Sequence, residues 1–180
     1  MEQSWNKPLT LIKDIEFLKK TNDPVIIYAL TDEAEAIANS CKKNGIKITA
    51  FCDNESRKTK EPYCGLEVVF TPNLKKKFSK ANFIIAHQSI DDCAEQLSDL
   101  GYNEFYSPLN LLKNYDVDKY KHRNSQQYMK NKISNIVKIN ELYYDKTKTY
   151  VRSLDVVITT KCSMNCESCA NLMQYYVDAK

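Results

Sequence analysis

The stretch Val25-Ile26-Ile27-Tyr28-Ala29-Leu30, followed by Thr31 to Gly45, decides the fold of this chain. It is a short apolar run with β-branched residues and no polar alternation. Such a run suits a strand buried on both faces, as in a parallel sheet. Thr31 is a candidate N-cap for the helix that follows, with Ala34, Ala36, Ile37 and Ala38 inside it and Gly45 as its natural end. A buried strand leading straight into a helix is the repeating unit of an α/β protein.

The same alternation continues downstream. Ile46 to Cys52 reads as a second strand ending at Asp53-Asn54, and Glu55 to Tyr63 as a polar loop. Gly65 turns the chain into a short strand, Leu66 to Phe70, and Pro72-Asn73 starts a short helix. Asn82 to Ala86 is a further strand, Ile90 to Leu100 a helix ended by Gly101, and Glu104-Phe105-Tyr106 a last strand before Pro108. Short connections between alternating strands and helices predict a doubly wound, Rossmann-like α/β domain with a parallel sheet over about residues 22–110. Upstream, Leu11, Ile12, Ile15 and Leu18 predict a helix over 9–20 opened by Leu9 or Thr10.

Residues 117–152 change in composition, with nine Lys and Arg against the three acids Asp118, Glu141 and Asp145. Ile133, Ile136, Val137, Ile139 and Leu142 predict an amphipathic helix from about 124 to 145. Its basic face is either solvated or suited to phosphates. The chain thus divides into a Rossmann-like domain with its N-terminal helix (1–115), a linker helix (116–150) and a C-terminal segment (151–180).

A net charge of +3 is too small to call for a nucleic-acid partner. No apolar run is long enough to span a bilayer, and Met1 to Lys7 lacks the apolar core of a signal peptide. A cytoplasmic protein with no membrane partner is expected. In a reducing compartment the scattered Cys41, Cys52, Cys64 and Cys93 are expected to be small buried hydrophobes.

The first strand-to-helix turn, Tyr28-Ala29-Leu30-Thr31-Asp32-Glu33-Ala34, carries no glycine and two acids. Side chains there obstruct close backbone approach and the acids repel phosphate, which argues against dinucleotide binding of the usual kind. At the end of the second strand, Asp53 and Asn54 are candidate ligand contacts, since an acid at this place can accept hydrogen bonds from a ribose. A purely structural role for the pair is the alternative. Phe51-Cys52-Asp53-Asn54, with Gly65-Leu66-Glu67-Val68 and Pro72, resembles the Rossmann-like domain that precedes the catalytic domain in many sugar-modifying enzymes, such as nucleotide-sugar N-acetyltransferases. That resemblance implies a nucleotide-sugar ligand.

Three further cysteines, Cys162, Cys166 and Cys169, form a CxxxCxxC loop behind the apolar stretch Leu154 to Thr159 and ahead of the helix-like Ala170 to Tyr176. Three thiolates on one loop can hold three irons of a cubane cluster and leave the fourth iron open. Cys162-Ser163-Met164-Asn165-Cys166-Glu167-Ser168-Cys169 resembles the cluster loop of the radical S-adenosylmethionine (SAM) enzymes, and Val156 to Thr159 matches that family's first barrel strand. The resemblance implies a [4Fe-4S] cluster on Cys162, Cys166 and Cys169, and SAM chelated to the open iron. It further implies a small-molecule substrate attacked by a 5′-deoxyadenosyl radical, and an external electron donor such as flavodoxin or ferredoxin. Ser168 stands where the family commonly has an aromatic residue beside the adenine, with Tyr175 and Tyr176 nearby in sequence. Two other readings stay open: a zinc site completed by His87, His122 or another cysteine, and three cysteines without metal.

Only eleven residues follow Cys169, whereas an eight-fold barrel takes about 250. The expectation is a truncated radical SAM domain at 151–180, its apolar face poorly anchored and the chain inactive by itself.

Overall fold

The computed structural model describes residues 11–145 and 147. The chain divides into two compact units, Met1–Lys148 and Thr149–Lys180. The expected barrel strand and cluster loop at 151–180 lie outside the described residues.

The first unit is built on five parallel strands: β1 (Val25–Tyr28), β2 (Ala50–Asp53), β3 (Val68–Phe70), β4 (Asn82–Ile85) and β5 (Phe105–Tyr106). Their order across the sheet is β3-β2-β1-β4-β5. The chain starts in the middle and winds outward in one direction, then returns to the middle and winds outward in the other. This is the doubly wound, Rossmann-like order.

Five helices accompany the sheet: α1 (Asp32–Lys43), α2 (Leu74–Lys77), α3 (Ile90–Asp99), α4 (Leu109–Leu112) and α5 (Gln126–Tyr144). Alternate strand residues feed two separate cores. Val25, Ile27, Phe51, Val68, Ile84 and Tyr106 pack with α1, α4 and α5. Ile26, Tyr28, Cys52, Val69, Phe83 and Ile85 pack with α2 and α3. Strand side chains alternate between faces, so a run that is apolar at every position must be covered on both sides.

α1 ends as its sequence suggests. Gly45 takes φ +74°, its N–H reaches the Lys42 carbonyl (3.3 Å), and the Ile46 N–H reaches the Cys41 carbonyl (2.9 Å). This is a Schellman closure around a left-handed residue.

The predicted helix over 9–20 does not form in the described residues. Ile12 instead bridges Tyr106 in parallel at the outer edge of β5, its N–H donating to the Phe105 carbonyl (2.7 Å) and its carbonyl accepting from Ser107 (3.0 Å). A 3-10 turn follows at Glu16–Lys19. Leu11 enters one core while Ile12 packs against the other. Neighbouring residues on opposite faces are a property of extended chain, not of one helical stripe.

The expected amphipathic helix is α5, opened by Ser125, whose Oγ accepts from the Tyr128 N–H (3.3 Å). Met129, Ile133, Ile136 and Asn140 form its buried face at spacings of four, three and four. It packs on the sheet's first core as part of the same unit. Asn140, 0% exposed, accepts from Ser107 Oγ (2.7 Å) and donates to the Ile136 carbonyl (2.8 Å). Among the described residues, no helix is long and apolar enough to cross a membrane.

Candidate functional site

In an open parallel sheet the ligand crevice lies beyond the carboxyl ends of the strands, where the strand order reverses. Here that place is between β1 and β4. The turn after β1 and the turn after β4 are tied together by Thr31, whose hydroxyl donates to the Ala86 carbonyl (2.7 Å). Thr31 stands at the N-cap of α1 yet gives it no side-chain cap. Asp32 and Glu33 fill the first turn instead. Asp32 is engaged by Asn124 Nδ2 (3.0 Å) and the Tyr128 hydroxyl (2.7 Å). Glu33 is buried, with one carboxylate oxygen unpartnered.

Asp53 and Asn54 lie at the carboxyl end of β2, and the structure gives them different surroundings. Asp53 is 4% exposed. One carboxylate oxygen accepts the Leu30 N–H (2.8 Å) and faces Lys58 Nζ (3.5 Å), while the other accepts the Glu55 N–H (2.8 Å). It therefore ties the β1–α1 turn to the loop that follows β2. Asn54 is exposed and donates to Gln96 Oε1 on α3 (2.8 Å). The Tyr28 hydroxyl meets the same Gln96 oxygen and lies 3.4 Å from Asn54 Oδ1. Burial pushes the Tyr28 phenol up to about 12, against a smaller opposing effect of the Asn54 contact. At ordinary pH the hydroxyl is a neutral donor in a small amide cluster.

A second feature opens beside Leu30: a cleft of about 300 Å³ whose lining includes Arg57, Lys58, Lys60, Tyr63 and Arg123. Glu61 is the single acid among its lining residues. Arg57 and Lys58 are both held by Glu55, at 2.6 and 3.1 Å. Arg123 lies over the Tyr63 ring, 4.7 Å from its centroid. The pairing of Tyr63 with Leu66 and the positive φ of Cys64 (49°) and Gly65 (75°) define a tight type I′ turn that sets the ring in place.

Tyr28, Gln96 and the cleft cations were not among the candidates read from the sequence. Arg57, Lys58 and Lys60 were visible there as a basic cluster within the polar loop, without a sign that Arg123 joins them from about sixty residues downstream.

The cysteines separate by environment. Cys41, Cys52 and Cys93 are buried, and burial raises all three thiols, Cys41 and Cys93 to about 12. Cys64 departs from the expected burial: it is exposed at the tip of the tight turn. Cys162, Cys166 and Cys169 lie outside the described residues. The His122 side chain is buried, 3.7 Å from Glu35 Oε2 and 3.5 Å from the Tyr115 hydroxyl. The His87 Nδ1 accepts the Ser89 N–H (3.1 Å). Among the described residues, no group of three or more His, Cys, Asp or Glu side chains is placed to hold a metal ion.

Compared with known protein families, curated proteins and solved structures, the chain matches none.

Proposed function

We propose that this chain is part of a radical SAM enzyme in which a Rossmann-like domain precedes the cluster loop. The observation that carries the reading is the CxxxCxxC spacing of Cys162, Cys166 and Cys169 directly behind a β-branched run. Three thiolates are the right donors for a [4Fe-4S] cluster with one open iron. When bound, such a cluster supplies the electron, drawn from a donor such as flavodoxin or ferredoxin, that cleaves SAM to start radical chemistry on a small molecule. A sugar- or nucleotide-sugar-related compound is the substrate class suggested by the resemblance of the Phe51 to Pro72 stretch to the domains of sugar-modifying enzymes, with the exposed Asn54 after β2 as the open contact.

Anaerobic reconstitution with iron and sulfide tests the reading. The expected result is about four irons per chain with the broad visible absorbance of a cubane cluster. Cys162→Ala should lose both. Intact iron content and absorbance in Cys162→Ala would overturn it.

A second reading is a nucleotide-sugar-binding module without catalysis, its cysteines incidental or zinc-bound. What favours it is the parallel sheet, whose carboxyl edge carries an exposed amide cluster and a cationic cleft. Zinc bound at one per chain, without cluster absorbance, would select it.

A further inference from the structure

We propose that the cleft between the loop after β2 and Arg123 is a binding site for a phosphate-bearing small molecule, with Lys60 and Arg123 as its grips. The first reason is the state of the cations. Four line the cleft, but two are already engaged: Arg57 by Glu55, and Lys58 by Glu55 and Asp53. Lys60 and Arg123 form no ion pair among the described residues, and both are exposed. Two uncommitted cations converge on one concavity whose only acid is Glu61.

The second reason is how Arg123 is held. Its guanidinium lies over the Tyr63 ring, and Tyr63 is itself fixed edge-on against Phe51 at 5.0 Å. Stacking on an aromatic face restrains the guanidinium without neutralising it, and its N–H donors stay available along the edge. A planar, charged and restrained fork is suited to bidentate contact with phosphate oxygens. The neighbouring basic residues behave differently. Lys119 pairs with Asp116 (3.4 Å), Lys130 with Asp118 (2.8 Å) and Lys132 with Asp32 (3.9 Å). Three cations of the basic segment are thus compensated by nearby acids, and Arg123 is the member that lines the cleft.

The third reason is size. A cleft of about 300 Å³ is at the small end of ligand pockets. It fits a diphosphate or a sugar phosphate rather than a whole dinucleotide. Asp32 and Glu35 lie close enough to act on the Tyr63 phenol and place negative charge on the α1 side. The anion is therefore expected between Lys60 and Arg123, away from the start of α1.

Isothermal titration calorimetry of the full chain at low salt, with inorganic pyrophosphate as the probe, tests the site. No iron is reconstituted, so the outcome is separate from the fate of the cysteine reading. Saturable binding is expected, weakened by about tenfold or more in Lys60→Ala/Arg123→Ala and unchanged in Lys80→Ala, an exposed lysine elsewhere. Arg123→Lys keeps the charge but not the fork and should also weaken binding. Thermal melts by circular dichroism establish that each variant is folded. Citrate, a polyanion without phosphorus, should bind less well. Absence of pyrophosphate binding at millimolar concentration, full affinity in the folded double variant, or equal affinity for citrate would each overturn the proposal.

Discussion

Replacing Asp53 separates a structural role from a ligand role. Its carboxylate is 4% exposed and accepts two backbone N–H groups at 2.8 Å, from Leu30 and Glu55. A hydrogen bond to a charged group contributes about 1.5–3 kcal/mol, and a donor left unsatisfied in a part-buried place costs a comparable amount. The Lys58 contact, at 3.5 Å with a partly exposed lysine, adds at most about 0.5 kcal/mol. Asp53→Ala removes all three and, at the lower value for each bond, should cost at least about 3 kcal/mol. Asp53→Asn keeps one acceptor, presents an NH₂ to the other backbone donor, and should cost about half as much.

The assay is urea denaturation followed by far-UV circular dichroism. A lower midpoint at unchanged slope reports lost stability rather than a changed denatured state. About 3 kcal/mol is a large share of the 5–15 kcal/mol typical of a domain. A loss below about 1 kcal/mol for Asp53→Ala would refute the reasoning, because the two turns would then be held by something else. Asp53 would in that case be free to serve a ligand.

Asn140→Ala should cost about 2 kcal/mol in the same assay, since the buried Ser107 hydroxyl loses the acceptor of its proton while still accepting the Leu109 N–H. Ser107→Ala should then cost less in that background than alone, the sign of a coupled pair. Burial raises the Tyr28, Tyr106 and Tyr115 phenols to about 12. Their neutral forms favour the folded state, so this stability is complete below about pH 10 and is lost as pH rises towards about 12. A phenolate absorbance titration should show the three ionising late and together with alkaline unfolding. Brief alkylation with peptide mapping should mark Cys64 before Cys41, Cys52 or Cys93. Gly65→Ala should cost about 1 kcal/mol from backbone conformation alone, because a Cβ there meets no atom within 4 Å.

The central sheet is legible in the sequence because each of its buried strands is an apolar run closed by a turn signal. Val25 to Tyr28 and Asn82 to Ile85 need burial on both faces, and no other arrangement offers it. The segment from Leu11 to Leu18 is not legible, because Leu11, Ile12, Ile15 and Leu18 fit a helical stripe as well as an extended strap straddling a sheet edge. Only the presence of β5 beside it decides between the two. Asp53 could be named as a strand-end residue, but its partners are backbone amides of two loops, whose positions no local pattern encodes. The CxxxCxxC loop is the reverse case. Its spacing is visible at Cys162, Cys166 and Cys169 in the sequence alone, and the radical SAM reading drawn from it is a resemblance.

The basic segment shows how a fold divides the charge that a sequence only counts. As a sequence it is an excess of lysine and arginine on a helix that joins two parts. In the fold, α5 is clamped to the sheet by Met129, Ile133 and Ile136, and the strap before it crosses the outer side of α1. Along that crossing Lys119, Lys130 and Lys132 are paired with Asp116, Asp118 and Asp32. Asp32, an acid that repels phosphate from α1, is engaged by Asn124, Tyr128 and Lys132 from this same segment. Asp32 and Glu33 keep acidic groups at the start of α1, and the cations without an ion pair among the described residues stand one loop further on, at Lys60 and Arg123. A first turn without glycine and a cationic second loop are then two sides of one arrangement, in which the proposed anion site draws on side chains rather than on backbone amides.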